Sequence, residues 1–225
     1  MKSVLLGAVA LSAILAVARA GATTITDPAG DFLATYTGPL NSDLDIRSVT
    51  VFINKSNDFV MSATMNGPLG QTADADYVFG VNTGSGLPLF GPSENKVLFD
   101  SAVVLNTGHG SNPSLVASNL LNPSGPMITP IGSGPGTGSV TVSGDTITGI
   151  IPEALLPGSF APGQYGFNLW TRIGITDNFP TNFADFAPNN ATFTAVPEPA
   201  GWALMILGFA GLGSGIRGRR RTALA

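Results

Sequence analysis

Ser139-Val140-Thr141-Val142-Ser143-Gly144-Asp145-Thr146-Ile147-Thr148-Gly149-Ile150-Ile151 decides the fold class. Val140 and Val142 alternate with polar residues, Ser143-Gly144-Asp145 breaks the run, and Ile147, Gly149 and Ile151 resume the alternation. Two period-2 runs around a glycine-containing turn predict a β-hairpin. The same period recurs outward from it. Val49, Val51 and Ile53 alternate with Thr50, Phe52 and Asn54, and Phe59, Met61, Ala63 and Met65 with Val60, Ser62 and Thr64. Tyr77, Phe79 and Val81 make a third run, and residues 97–105 a longer, more apolar one. Tyr165, Phe167, Leu169, Thr171, Ile173 and Ile175 alternate with Gly166, Asn168, Trp170, Arg172 and Gly174, and residues 192–196 close the series. Gly, Pro, Asn and Ser clusters separate the runs. Residues 153–156 and 115–121 suit a helical turn or two, and residues 111–138 predict an irregular loop. The fold class is all-β: an antiparallel β-sandwich of Greek-key or jelly-roll type.

Residues 21–195 form the expected sandwich domain, long enough to bury a single core. This segment carries four basic residues against thirteen acidic ones, a net −9, whereas the whole chain carries −4. Such a field argues against nucleic acid and anionic lipid as partners and is compatible with divalent cations. The chain has no cysteine, so stability must come from packing rather than disulfides.

Both ends look like addresses. Lys2 precedes an apolar run over residues 4–17, and Ala18-Arg19-Ala20 has small residues where a signal peptidase cuts. Residues 1–20 are expected to be a signal peptide, cleaved after Ala20 or else Ala22; an uncleaved membrane anchor is the other reading. At the C-terminus, Pro197 and Pro199 hold the backbone open. Residues 202–216 are uncharged and end at Arg217-Gly218-Arg219-Arg220-Arg221. As a helix they would rise about 22 Å against roughly 30 Å of hydrocarbon, a marginal single membrane helix. Trp202 suits the headgroup region and the arginines the cytoplasmic side. On residue types alone, a plain tail anchor with a basic stop is equally open.

The run VPEPAGWALMILGFAGLGSGIRGRRR, residues 196–221, resembles the PEP-CTERM sorting signal of Gram-negative bacteria in all three of its parts. The resemblance implies processing by exosortase, with Pro197, Glu198 and Pro199 recognised and Trp202, Arg219, Arg220 and Arg221 positioning the segment in the membrane. It implies export through the inner membrane, then a place at the cell surface or in the extracellular matrix, in a family associated with exopolysaccharide and biofilm. Residues 196–225 are thus expected to be the sorting signal. The resemblance does not extend to residues 21–195.

Catalytic chemistry is not expected. His109, in Gly108-His109-Gly110, is the single histidine, no thiol nucleophile exists, and no nucleophile elbow, zinc helix or phosphate loop is present. The acid pairs Asp27/Asp31, Asp43/Asp45 and Asp74/Asp76 are more suggestive as oxygen ligands. Asp27, Asp31, Asp43 and Asp45 are the candidate set for a structural calcium. The alternative is that these aspartates start turns by bonding their own backbone.

Asp27-Pro28-Ala29-Gly30-Asp31, Asp43-Leu44-Asp45-Ile46 and Tyr77-Val78-Phe79-Gly80-Val81-Asn82-Thr83 are also similar to pieces of carbohydrate-binding-module-9-like sandwiches. That resemblance implies aromatic platforms stacked on sugar rings. Trp170 and Arg172 lie out of phase with Tyr165, Phe167 and Leu169, so they are the candidate glycan contacts; packing under another element is the other reading of Trp170. The expected protein is an exported, non-enzymatic surface or matrix component that associates with exopolysaccharide. The alternative is a structural or adhesive protein that assembles by protein–protein contacts.

Overall fold

A computed structural model describes residues 22–85, 99–107, 114–119, 127–130, 138–174, 181–189 and 191–195. The strands in chain order are β1 (Thr23–Thr26), β2 (Ile46–Ile53), β3 (Phe59–Met65), β4 (Ala75–Asn82), β5 (Ser101–Asn106), β6 (Ser114–Asn119), β7 (Met127–Pro130), β8 (Ser139–Ser143), β9 (Thr146–Ile151), β10 (Gly166–Ile173), β11 (Phe183–Ala187) and β12 (Phe193–Thr194). They form two antiparallel sheets. One has the order β1-β2-β3-β9-β8; the other runs β11-β10-β4-β5-β6-β7, with β12 also paired to β10. All lie within one compact unit, Ala20–Glu198. The architecture is all-β and sandwich-like.

Register explains the core. Val49, Val51 and Ile53 face Ala63, Met61 and Phe59, which in turn face Ile147, Gly149 and Ile151. In the second sheet Phe79 stands between Leu169 and Val103, and Tyr77 opposite Leu105. These alternate residues enter one buried cluster drawn from both sheets. Phe59 of the first sheet stacks on Tyr165 at 5.4 Å and tilts against Phe167 of the second at 5.8 Å. Gly149 is small because Leu105 reaches it: a Cβ there would sit 2.8 Å from a Leu105 methyl.

The sheets differ on their outer faces. The first carries hydroxyl ladders, Ser62–Thr148 at 2.9 Å and Thr64–Thr146 at 3.0 Å, as period-2 alternation with one solvated face requires. Around β4, β10 and β11 the second is buried on both faces. Val78, Phe99, Ala102, Trp170, Phe183 and Phe186 make a second apolar cluster, on the side of β4 and β10 away from Phe79 and Leu169.

Two expectations are corrected. The helical turn expected over residues 115–121 is not made at residues 115–119, where Ser114–Asn119 pair with β5, Ala117 opposite Val103; residues 120 and 121 lie outside the described residues. A second strand, Met127–Pro130, lies within the expected loop and pairs with β6. An isolated helical turn carries a nucleation cost and leaves most of its backbone groups unpaired, whereas the edge of β5 offers a ready row of backbone partners. Glu153–Leu155 do form a single 3-10 turn. The signal peptide and the sorting segment with its apolar helix lie outside the described residues. Among the described residues, no helix is long and apolar enough to cross a membrane.

Candidate functional site

The connection after β1 folds back on itself. The Asp27 amide donates to the Arg47 carbonyl at 3.0 Å, which prolongs the β1–β2 pairing by one residue. Gly30 then takes a left-handed conformation, φ +78°, which glycine adopts without steric cost. Its amide donates to both oxygens of Asp45, at 3.0 and 2.9 Å, and the Asn66 side-chain amide donates to Asp45 Oδ2 at 2.9 Å. Beyond the turn, the Leu33 amide reaches the Ala184 carbonyl on β11 at 2.8 Å. The loop is thus fastened at both ends, and Asp31 is returned to Asp27.

A third acid comes from the other sheet. Asp185 on β11 accepts the Ile46 amide on Oδ2 and the Phe186 amide on Oδ1, both at 2.7 Å. One carboxylate oxygen from each of Asp27, Asp31 and Asp185 lies within 4.8 Å of the others. Asp185 is fully buried and Asp27 is 8% exposed. Asp27 Oδ2 and Asp31 Oδ1 are buried without a hydrogen-bond partner among the described residues. Burial pushes Asp27 up to about 7, with Asp31 and Asp45 repelling its charge and Arg47 opposing the rise. Burial pushes Asp185 up to about 8, against the amides of Ile46 and Phe186 and with the repulsion of Asp27 and Asp31. Three carboxylates so placed can share protons or hold a hard cation.

The candidate set Asp27, Asp31, Asp43 and Asp45 is therefore divided. Asp27 and Asp31 meet, Asp185 joins them, and Asp43 and Asp45 serve the backbone instead. Asp43 is fully buried; it accepts the Thr72 amide at 2.7 Å and the Thr72 hydroxyl at 2.6 Å. Asp74 and Asp76 do not converge on this site either. Asp74 occupies a left-handed turn position, φ +55°, and Asp76 is buried against the Asn106 amide at 2.8 Å. Asp185 was missed, although a lone acid inside the apolar run Phe183-Ala184-Asp185-Phe186-Ala187 was a signal: the run is fully buried, and a buried charge needs a partner.

Trp170 is not a surface platform. Its indole is 1% exposed, packed by Phe99 at 5.6 Å, Phe186 at 6.1 Å and Phe183 at 6.3 Å. The Arg172 guanidinium lies 4.8 Å from the Phe183 ring centroid, a cation–π distance. Tyr36, Tyr77, Tyr165, Phe183 and Phe186 are buried as well; Phe179 and His109 lie outside the described residues. Among the described residues the exposed aromatic is Phe160, at 45%. It borders an open cleft of about 630 Å³ lined also by Asn57, Asp58, Glu153, Pro157 and Tyr165. The cleft lies by the far end of β2 from the acid cluster, roughly 25 Å away at ~3.3 Å per residue.

Compared with protein-family models, curated proteins and solved structures, the chain finds no match.

The raised acids set the sign of the pH response when divalent cations are chelated. Asp27 and Asp185 hold protons to about 7 and about 8 when folded, but release them near 3.9 when unfolded. The stability this protonation supplies is complete below the unfolded value and is lost as pH rises through the folded ones. In chelator, the melting temperature should fall by several degrees between pH 5.5 and 8.5, where ordinary carboxylates are already ionised. Differential scanning calorimetry across that range checks it; a flat or rising profile would contradict the burial argument.

Proposed function

We propose that this chain is an exported surface or matrix protein whose C-terminal segment is an exosortase sorting signal. In this reading its β-domain, of Greek-key type with a membrane helix only before processing, is non-enzymatic and associates with exopolysaccharide. The observation that carries the reading is the three-part run of residues 196–221, with Pro197-Glu198-Pro199, the uncharged stretch and the closing arginines. Each part has a separate physical task, so their co-occurrence in order is more specific than any one alone. The engagement of Asp43, Asp45 and Asp100 in holding backbone amides supports a scaffold more than a reaction centre.

With Trp170 inside, the surface that best suits a glycan is the cleft at Phe160. An exposed ring beside Asn57, Asp58 and Glu153 offers an apolar face for a pyranose and acceptors for its hydroxyls. Replacing Pro197, Glu198 and Pro199 together by alanine should leave the unprocessed precursor in the inner membrane, detected by fractionation and immunoblotting. Normal processing would remove the sorting reading. Phe160→Ala should weaken retention on the producing cells' own exopolysaccharide at least severalfold with an unchanged melt; equal retention would remove the cleft.

A second reading, assembly through protein contacts, is favoured by β8. It ends its sheet, carries neither charge nor proline, and leaves Val142 and Ile150 each 38% exposed. An unguarded edge invites another strand. Concentration-dependent sedimentation without any glycan would favour this reading.

A further inference from the structure

We propose that Asp27, Asp31 and Asp185 bind one calcium ion that fastens the loop after β1 to the edge strand β11. The inference stands apart from the sorting signal and from the cleft. Four acids, Asp27, Asp31, Asp45 and Asp185, gather here against one cation, Arg47. Asp45 and Asp185 are committed to backbone amides. Asp27 is not: it is more than nine-tenths buried, and its Oδ2 has no hydrogen-bond partner among the described residues. A buried carboxylate oxygen without a donor is costly, and a cation held between it, Asp31 and Asp185 removes that cost.

The donor set selects the metal. All three ligands are carboxylate oxygens, with neither imidazole nor thiolate in the cluster, so soft and borderline metals are disfavoured. The oxygens lie within 4.8 Å of one another. Calcium takes carboxylate oxygens at about 2.3–2.6 Å in a flexible geometry, whereas magnesium needs near-octahedral order at about 2.0–2.1 Å and gives up its waters reluctantly. Three carboxylates brought together by a loop and an edge strand therefore suit calcium better. Water and carboxylates binding through both oxygens complete its six to eight ligands. Asp45 acts as a positioning residue: by holding Gly30 it sets the turn that returns Asp31.

The topology gives the ion a task. Asp27 and Asp31 belong to the connection between β1 and β2, and Asp185 to the other sheet. Ile46 to Asp185 and Leu33 to Ala184 already tie this edge, and the ion adds a charge-based tie between the same elements. Binding is linked to folding, since the unfolded chain has no preformed site.

The test uses the full chain in mild detergent with calcium chloride, magnesium chloride or EDTA. Calcium at about a hundred times Kd should raise the melting temperature by about 5–10 °C over EDTA, with one calcium bound per chain by equilibrium dialysis. At about pH 8.5, above the raised values of the buried acids, Asp27→Asn should melt no lower than wild type in EDTA, because a repelled charge is gone, yet below it in calcium. That crossing is not expected of a merely structural acid. Asp31→Asn, at a half-buried side chain, keeps the test open if buried variants fail to fold, and should weaken calcium binding roughly tenfold or more. Asp145→Asn, at an exposed turn, should keep the full shift. Equal melts in calcium and EDTA would overturn the site, as would a shift that survives in an Asp31→Asn, Asp185→Asn double variant. An equal shift with magnesium alone would overturn the choice of ion.

Discussion

Trp170→Ala should destabilise the domain by about 3–5 kcal/mol, the loss found for large aromatic side chains removed from a core. For a domain of this length that lowers the melting temperature by about 6–20 °C. The indole lies over Gly80, where an added Cβ would come within 2.6 Å of the Trp170 ring and 2.7 Å of Phe99. It is closed in by Phe183 and Phe186, themselves stacked at 6.0 Å. The cavity left by alanine is walled by rigid rings that cannot collapse into it without moving β11, and β11 carries Asp185. Urea denaturation of wild type, Trp170→Phe and Trp170→Ala would order them by the volume removed. A melt unchanged in Trp170→Ala would place the indole in solvent. Any loss of polysaccharide retention in that variant should follow the unfolded fraction and nothing more.

The phase of Trp170 was legible in the sequence, but the burial of its face was not. Alternation along residues 165–175 places Trp170 opposite Leu169, and the two do point to opposite sides of β10. What alternation cannot say is whether the second side meets water. In the first sheet it does, and the residues there are Ser62, Thr64, Thr146 and Thr148. In the second sheet that face is mixed, with Asp76, Val78, Gly80 and Asn82 on β4 beside Asn168, Trp170 and Arg172 on β10, so its polar residues suggest water although its centre is covered. The covering rings, Phe99, Phe183 and Phe186, come from sequence positions far from β4. Residues 114–119 and 127–130 were harder still, because strand pairing is decided by a neighbouring edge rather than by local pattern.

The acid site divides in a similar way. Asp27-Pro28-Ala29-Gly30-Asp31 carries its geometry locally: a turn with a left-handed glycine brings its two ends together, and that much could be read from five residues. Asp185 lies more than 150 positions further on, and only the packing of β11 beside the start of β2 brings it in. Asp43 and Asp45 illustrate the opposite limit. They flank Leu44 symmetrically in the sequence, yet each holds a different backbone segment, and neither adds an oxygen to the group formed by Asp27, Asp31 and Asp185.

Asp43→Ala should therefore cost about 3 kcal/mol or more, since charged hydrogen bonds contribute about 1.5–3 kcal/mol each and a stranded buried donor adds its own desolvation cost. Asp43 takes both the amide and the hydroxyl of Thr72, and that hydroxyl in turn accepts the Asn41 amide at 2.9 Å. The Tyr77 hydroxyl donates to the Asp43 carbonyl at 3.0 Å, which fixes the same residue against β4 from its backbone. Alanine keeps the backbone bond and strands the Thr72 amide in a buried place. The loss should be the same in calcium and in EDTA, because Asp43 holds a loop and no ion. Asp31→Asn should behave in reverse, near wild type in EDTA and destabilised in calcium. Paired denaturant melts of the two variants in both buffers separate the roles. If the Asp43→Ala deficit shrinks when calcium is removed, Asp43 belongs to the metal site, and the division of the four aspartates drawn from the hydrogen bonds is wrong.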